Sequence, residues 1–247
     1  MRKTLYLHAG MHKTGSTSIQ HYLMSNRPFF EGHGFHVVED MELPNAPDVP
    51  RNVVSTNCYK IADAVIDPRL ATYARINSLV SSMNRRERYS AIRKVNRALS
   101  SGEQRRLVLS AEAFSFLRSP RERPRLRRIF RGLDVRPILF FRNKSDWLES
   151  WNAQITRKCF KAAGRGRRPA GIFDLTESSW LLDYDRIKAF YHDGGTFLSY
   201  DRVIAEDGSV VPAFLRVLGL DAEDCPPWDE YWMNRSSRAN PPASPGA

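Results

Sequence analysis

HAGMHKTGSTSIQ, residues 8–20, joins a run of β-forming residues (3–8) to a segment that has apolar residues at helical spacing from Ile19 onward. Gly10 and Gly15 lack side chains, so the backbone can turn sharply and approach a ligand there. The N–H groups that open a helix have no partner inside it and favour an anion. The order strand, glycine loop, helix therefore predicts an anion-binding loop.

The position of the lysine separates this loop from those that bind nucleoside triphosphates. Such loops have the form G-x-x-x-x-G-K-[ST], with the lysine directly after the second glycine. Gly10 and Gly15 have that spacing, but Ser16 follows the second glycine and Lys13 lies two residues before it. Lys13 therefore reaches the anion from a different side. A turn before an ordinary helix, with Lys13 in solvent, is the alternative that the pattern leaves open.

A second stretch predicts another anion-binding group after a later strand. Residues 136–158 read RPILFFRNKSDWLESWNAQITRK, an apolar strand that ends at Arg142 and leads into a segment of helical spacing. Ser150 follows Arg142 by eight residues. Both can face the carboxyl edge of an open α/β sheet, where such sheets bind ligands. The alternative is that Arg142 forms a surface salt bridge and that Ser150 forms a hydrogen bond with the backbone of its own helix.

The alternation of strand and helix patterns over the 247 residues predicts an α/β fold with a doubly wound, mainly parallel sheet. Helices are expected after the first, fourth and fifth strands, and a helical insert over about 56–99. One domain is expected over 1–237, followed by a Pro-rich, disordered tail over 238–247. The strands are expected at 4–8, 35–38, 107–110, 135–141 and 196–199.

Positive charge is concentrated in residues 85–136, which hold 16 of the 38 Lys and Arg but only 5 of the 27 Asp and Glu. They account for the whole net charge of +11. Their densest parts, 85–97 and 118–131, have helical spacing, and solvated helix faces are the ordinary interpretation. A surface that steers nucleic acid, anionic lipid or a polyanionic substrate is the alternative. No nucleic-acid motif is present, so we do not expect nucleic acid as a partner.

The sequence gives no sign of a membrane or metal protein. No segment approaches the roughly 18 apolar residues of a membrane helix, and no signal-peptide pattern precedes the first strand. We therefore expect no membrane span and a cytoplasmic protein. Cys58, Cys159 and Cys225 are far apart and lack the paired spacing of a zinc site or a disulfide framework.

Together the two anion-binding stretches resemble the nucleotide site of sulfotransferases that use 3′-phosphoadenosine 5′-phosphosulfate, PAPS. Residues 13–17 fit the pattern K-[ST]-G-[ST]-[ST] and are similar to the 5′-phosphosulfate loop of that family. The segment that begins at Arg142 fits the pattern R-[NR]-x-x-[DE] and is similar to the family's 3′-phosphate site. The resemblance is to compact bacterial-type members, and it implies a P-loop NTPase-like sheet, 3′,5′-adenosine diphosphate as product and no required metal. The cofactor-binding residues that it implies are Lys13, Thr14, Gly15, Ser16, Thr17, Ser18, Arg142, Ser150 and, in a C-terminal loop, Arg235.

The resemblance also implies catalytic roles. Lys13 neutralises charge on the leaving phosphate, and a base takes the proton of the acceptor. Our first choice for the base is Glu112, just beyond the third strand, although a carboxylate there also suits the start of a helix. The other candidates are His12, His33, His36 and Asp40. Ser18 stands where cytosolic members have an adenine-stacking tryptophan, so this loop does not assign the adenine contacts.

The expected acceptor is a hydroxyl or amine of a carbohydrate or small metabolite. The basic segments favour an acidic saccharide, and tryptophans such as Trp147 and Trp151 either stack on sugar rings or belong to the core. Two other functions stay open. A P-loop kinase or NTPase would use an acid such as Glu112 with Mg²⁺. A non-catalytic basic module would bind nucleotides or polyanions.

Overall fold

A computed structural model describes residues 2–41, 43, 55–70, 72–76, 79–80, 83–163, 172, 175–192 and 194–228, with the backbone alone at 156–163. The predicted tail over 238–247 and the predicted cofactor residue Arg235 lie outside the described residues. The expected insert at 56–99 is described in part.

Five parallel strands form one sheet in the order β2-β3-β1-β4-β5. This confirms the predicted α/β fold with a parallel sheet, and the predicted strand ends are correct to within two residues. The strands are β1 Lys3–His8, β2 Phe35–Val37, β3 Arg106–Ser110, β4 Leu133–Phe141 and β5 Thr196–Ser199.

Helices cover both faces of the sheet. Those predicted after the first, fourth and fifth strands are α1, α7 and α9, and α3 to α5 form the insert. Within the described residues, no helix is long and apolar enough to cross a membrane. The helices are α1 Ser16–Ser25, α2 Arg27–Gly32, α3 Tyr59–Val65, α4 Tyr73–Ile76, α5 Arg85–Ser101, α6 Arg123–Ile129, α7 Lys144–Ala163, α8 Tyr184–Tyr191, α9 Tyr200–Asp207 and α10 Val210–Leu218, with short 3₁₀ helices at Glu112–Phe116 and Trp180–Leu182.

Alternating side chains of the strands build one core on each face of the sheet. Leu5 and Leu7 of β1 pack with the insert and with α6 to α8, whereas Tyr6 packs with α1, α2, α9 and α10. Trp147 and Trp151 of α7 are fully buried in the first core, with their rings stacked 4.9 Å apart. These two tryptophans are therefore core residues.

Part of the basic region is structural. The Arg88 guanidinium is 7% exposed and donates 3.0 Å hydrogen bonds to the carbonyls of Asp63, Ala64 and Ile66 at the end of α3. Arg125 donates to two carbonyls at the same end. Carbonyls at a helix end lack partners inside the helix, so these arginines stabilise α3. Solvated helix faces, the ordinary interpretation of the basic segments, do not describe Arg88, which is buried, and Arg125 is only partly exposed.

The strand order places the end of β1 where a ligand site is expected. The chain runs from β1 to β2 and β3 on one side, then returns to β4 and β5 on the other, and open α/β sheets bind ligands where the order reverses. His8 is in register with Ser110 of β3 and Ile138 of β4. The loops that follow these three strands therefore meet at one edge.

Candidate functional site

A cavity of about 430 Å³ opens at this edge, between the glycine loop and the insert. One side, which we call the loop wall, is formed by Lys13, Gly15, Ser16, Thr17, Arg142, Ser150, Gln154 and Tyr200. The residues that the insert contributes to the lining, which we call the insert wall, are Asn57, Tyr59, Asp63, Ile66, Thr72, Tyr73, Ala74 and Leu79. His12, Gln20, Glu112, Ala113 and Phe116 complete the lining. The structure thus brings together the predicted residues Lys13, Glu112, Arg142 and Ser150.

The glycine loop has a left-handed backbone at three positions. Gly10, Lys13 and Gly15 have φ angles of 98°, 64° and 76°. The indole N–H of Trp147 donates a 2.6 Å hydrogen bond to the carbonyl of His12 and so ties the loop to α7. At Gly15 an added Cβ would also lie 2.7 Å from Cγ2 of Val210. Two separate constraints therefore require glycine at position 15.

We expect Gly15→Ala to destabilise the protein more than Gly208→Ala does. Gly208 has a φ of 68° with open space around it, so alanine there has only the backbone strain of about 1–2 kcal/mol. The contact with Val210 should add about 1–3 kcal/mol for Gly15→Ala. Urea unfolding measures both free energies. Equal losses in the two variants would show that the contact relaxes without strain.

The loop offers main-chain N–H groups to the cavity. Gly15, Ser16 and Thr17 line the cavity, and within the described residues their N–H groups have no hydrogen-bond acceptor. The hydroxyls of Thr14 and Ser16 instead donate to the carbonyl of Met11, at 2.7 and 3.0 Å. These two hydroxyls therefore hold the loop in shape, whereas we expected them to contact the ligand.

Two predicted cofactor residues do not line the cavity. Thr14 is fully buried, with its hydroxyl on Met11, and Ser18 is 3% exposed in α1. Thr17 does line the cavity, as predicted. The loop therefore presents its backbone and the side chains of Lys13 and Thr17 to the cavity, and not the side chain of every residue in the sequence pattern.

The side chain of Lys13 reaches α7. Its Nζ donates a 3.1 Å hydrogen bond to Oε1 of Gln154. Gln154 lies four residues after Ser150, so the two share one face of α7. Sequence reasoning identified Ser150 but missed Gln154, although this i, i+4 spacing was the available signal.

Arg142 lies at the end of β4 beside the loop. One terminal N–H group donates to the carbonyl of Lys13 at 3.4 Å, and the guanidinium lies 5.2 Å from the ring centre of Tyr200. Its Nε is buried and has no partner within the described residues. The hydroxyl of Tyr184 donates to the Arg142 carbonyl at 2.7 Å. Arg142 is therefore fixed in place with donor capacity left for an anion.

Tyr200 is the first residue of α9. It lines the cavity, and burial raises the pKa of its hydroxyl, so the ring stays neutral beside Arg142. The next residue, Asp201, accepts a 2.7 Å hydrogen bond from the N–H of Asn143. This bond links the start of α9 to the residue after Arg142.

Glu112 and His12 line the same cavity and lie side by side. Nε2 of His12 is 3.8 Å from Oε1 of Glu112, and Nδ1 is 3.1 Å from the hydroxyl of Ser115. The imidazole is 5% exposed and packs on Phe116 with ring centres 4.6 Å apart. Burial lowers the pKa of His12, although the Glu112 carboxylate acts in the opposite direction. His12 is therefore a neutral imidazole next to a carboxylate at neutral pH.

The other three candidates for a base do not line the cavity. His33 and His36 are exposed, and Nδ1 of His33 lies 2.8 Å from the carbonyl of Phe29. The Asp40 carboxylate accepts hydrogen bonds from the main-chain N–H groups of Met41 and of Lys60 and Ile61 at the start of α3. Burial nevertheless raises the pKa of Asp40 to about 7. Of the five candidates, only Glu112 and His12 line the cavity.

The lining also shows which groups the cavity can hold. Lys13, Arg142 and the loop N–H groups are donors for an anion, and Glu112 is a proton acceptor. Within the described part of the chain, no three His, Cys, Asp or Glu side chains lie close enough together to hold a metal ion. The arrangement is that of an anion site with an adjacent carboxylate.

Comparison with known proteins shows a likeness in structure. No protein-family model matches the sequence, and no curated protein does. A solved structure, the sulfotransferase from Alicyclobacillus acidocaldarius, matches with a TM-score of 0.50 and 11% sequence identity. The match covers 96% of this chain and 88% of that one. At this identity, what the two chains share is the fold.

Proposed function

We propose that this protein is a sulfotransferase that moves a sulfuryl group from PAPS to a hydroxyl or amine of an acceptor. The observation that supports it is one cavity with two anion-binding groups: the loop with Lys13, and the pair Arg142 and Ser150. PAPS carries charge at both its 5′ and 3′ ends, and a carboxylate, Glu112, lies on the same cavity. The fold shared with a sulfotransferase agrees with this function.

The residues that line the cavity fit such a ligand. The unpaired N–H groups of 15–17 and the ammonium of Lys13 would hold the 5′ end. Arg142 and Ser150 would hold the 3′-phosphate, because the buried Nε of Arg142 has no partner among the described residues and a guanidinium binds phosphate with two donors.

The reaction we infer is a direct displacement. Bound PAPS supplies the sulfuryl group: the acceptor oxygen or nitrogen bonds to sulfur, and the bond from sulfur to the bridging phosphate oxygen breaks, leaving its electron pair on the phosphate. The Lys13 ammonium stabilises that developing negative charge. The Glu112 carboxylate takes the acceptor proton. His12, neutral and 3.8 Å away, is placed to orient Glu112.

Calorimetric titration with 3′,5′-adenosine diphosphate tests this function. We expect saturable binding by the wild-type protein and a Kd about 10–100 times higher for Arg142→Ala, since a hydrogen-bonded charge pair contributes about 1.5–3 kcal/mol. Adenosine 5′-monophosphate lacks the 3′-phosphate, so its affinity should be similar for the two proteins. Arg202→Ala, an exposed arginine on α9, is the matched control.

Two results of this titration would contradict the proposal. One is the lack of saturable binding of 3′,5′-adenosine diphosphate by the wild-type protein. The other is tighter binding of ATP with Mg²⁺ than of 3′,5′-adenosine diphosphate, which would favour a P-loop kinase or NTPase.

A further inference from the structure

The two walls of the cavity differ in charge. The loop wall carries the cations Lys13 and Arg142, whereas Asp63 is the one charged side chain among the described residues of the insert wall. Asp63 is 2% exposed, and its Oδ1 lies 2.8 Å from Nε of Arg75. Burial raises the pKa of Asp63, and the nearby Arg75 acts against that shift. The insert wall therefore presents no net charge to a ligand.

The arginines near the insert wall are directed elsewhere. Arg75 does not line the cavity, and its terminal N–H groups donate to the carbonyls of Asp67 and Leu70 at 2.7 Å. Arg88 and Arg125 bind the carbonyls at the end of α3. Within the described residues, no cation of the basic region lines the cavity. An anionic acceptor on the insert wall would meet the Glu112 carboxylate, and no cation of that wall among the described residues would offset the repulsion.

The insert wall offers neutral polar atoms together with apolar surface. The Tyr59 hydroxyl and the Asn57 side-chain oxygen are buried and have no hydrogen-bond partner within the described residues. Both positions are fixed, because Asn57 forms a β-bridge with Ser110 and Tyr59 is the first residue of α3. Ile66 and Leu79 supply the apolar part of the same wall. Buried polar atoms usually have partners, so these two point to a ligand with hydroxyl groups.

We infer that the insert wall is the acceptor subsite and that the acceptor is a small, uncharged, hydroxylated molecule with one apolar face, such as a neutral sugar or ring alcohol. This inference rests on the proposed sulfotransferase function. It departs from the acidic saccharide that the basic segments of the sequence favoured, because those segments do not reach the cavity.

Matched pairs of acceptors that differ in one charge test the inference. Suitable pairs are methyl glucoside with the methyl glycoside of glucuronic acid, methyl galactoside with the methyl glycoside of galacturonic acid, and 4-hydroxybenzyl alcohol with 4-hydroxybenzoate. With PAPS as donor, we expect kcat/KM to be about tenfold or more higher for the neutral member of each pair that reacts. Preference for an acidic member overturns the inference. The absence of turnover with every pair also overturns the inference if 3′,5′-adenosine diphosphate still binds. If 3′,5′-adenosine diphosphate does not bind, that result contradicts the sulfotransferase function itself.

A charge placed on the insert wall gives a second test. Leu79→Lys should move the neutral-to-acidic ratio of kcat/KM toward the acidic member by about tenfold, since it supplies the missing counter-charge. Leu79→Gln removes the same apolar side chain without adding charge, and Tyr89→Lys adds a charge at an exposed position of α5. Neither control should move the ratio. A ratio that stays unchanged in Leu79→Lys, with nucleotide binding intact, overturns the inference.

Discussion

Lys13→Ala is expected to lower kcat for sulfuryl transfer by about 10²–10³-fold, the usual effect of losing one group that stabilises transition-state charge. Lys13 lies in the glycine loop with its ammonium on the cavity, 3.1 Å from Oε1 of Gln154. No other lysine among the described residues lines the cavity, so none there can take over the role. Initial rates with PAPS and a neutral acceptor give the measurement.

The control for this prediction is Lys94→Ala, which removes an exposed lysine from α5. It should keep the wild-type rate. Thermal unfolding of Lys13→Ala should stay close to wild type, because alanine at φ 64° is strained to a similar extent as lysine. A Lys13→Ala protein that is folded and retains a tenth or more of the activity would show that Lys13 is not required for charge stabilisation.

Glu112→Gln is expected to lower kcat by about 10²–10⁴-fold, the range for a lost general base, with the Kd for 3′,5′-adenosine diphosphate unchanged. Glutamine keeps the size of the side chain but cannot take the proton of the acceptor. Glu112 lies just beyond β3 and lines the cavity that would hold donor and acceptor. Rates and calorimetry on the same sample separate catalysis from binding.

Two further variants sharpen the result for Glu112. Glu103→Gln changes an exposed acidic residue before β3 and should leave kcat unchanged. His12→Asn should lower the rate by less than Glu112→Gln if His12 only orients the carboxylate. Retained activity in Glu112→Gln together with a loss in His12→Asn would instead move the base to His12, whose lowered pKa leaves the imidazole neutral and able to accept a proton.

The sequence was sufficient to predict the parts of the site that lie next to strand ends. The glycine loop, Glu112, Arg142 and Ser150 follow β1, β3 and β4 in the chain, and parallel strands bring their carboxyl ends to one edge. Residue type and strand position together therefore predicted that these groups would line one cavity. The roles of those residues stay predictions until the variants are measured.

Other features depend on contacts between distant segments, which one sequence does not reveal. The hydroxyl of Thr14 points inward because the carbonyl of Met11 accepts from it, which the motif alone does not show. Because Arg88 belongs to a basic segment, its sequence context predicts a surface residue. In the structure it is buried against the end of α3. The insert wall combines segments whose arrangement follows from tertiary packing, so its lack of net charge could not be predicted.

The topology also divides the protein into parts that can change separately. All of the insert wall comes from the chain between β2 and β3, whereas the loop wall comes from the segments after β1, β4 and β5. The two walls share the sheet but no stretch of sequence. Substitutions between the second and third strands can therefore change the insert wall and leave the residues of the loop wall in place. That segment is therefore the part of the chain to replace when a new specificity is to be introduced into this fold.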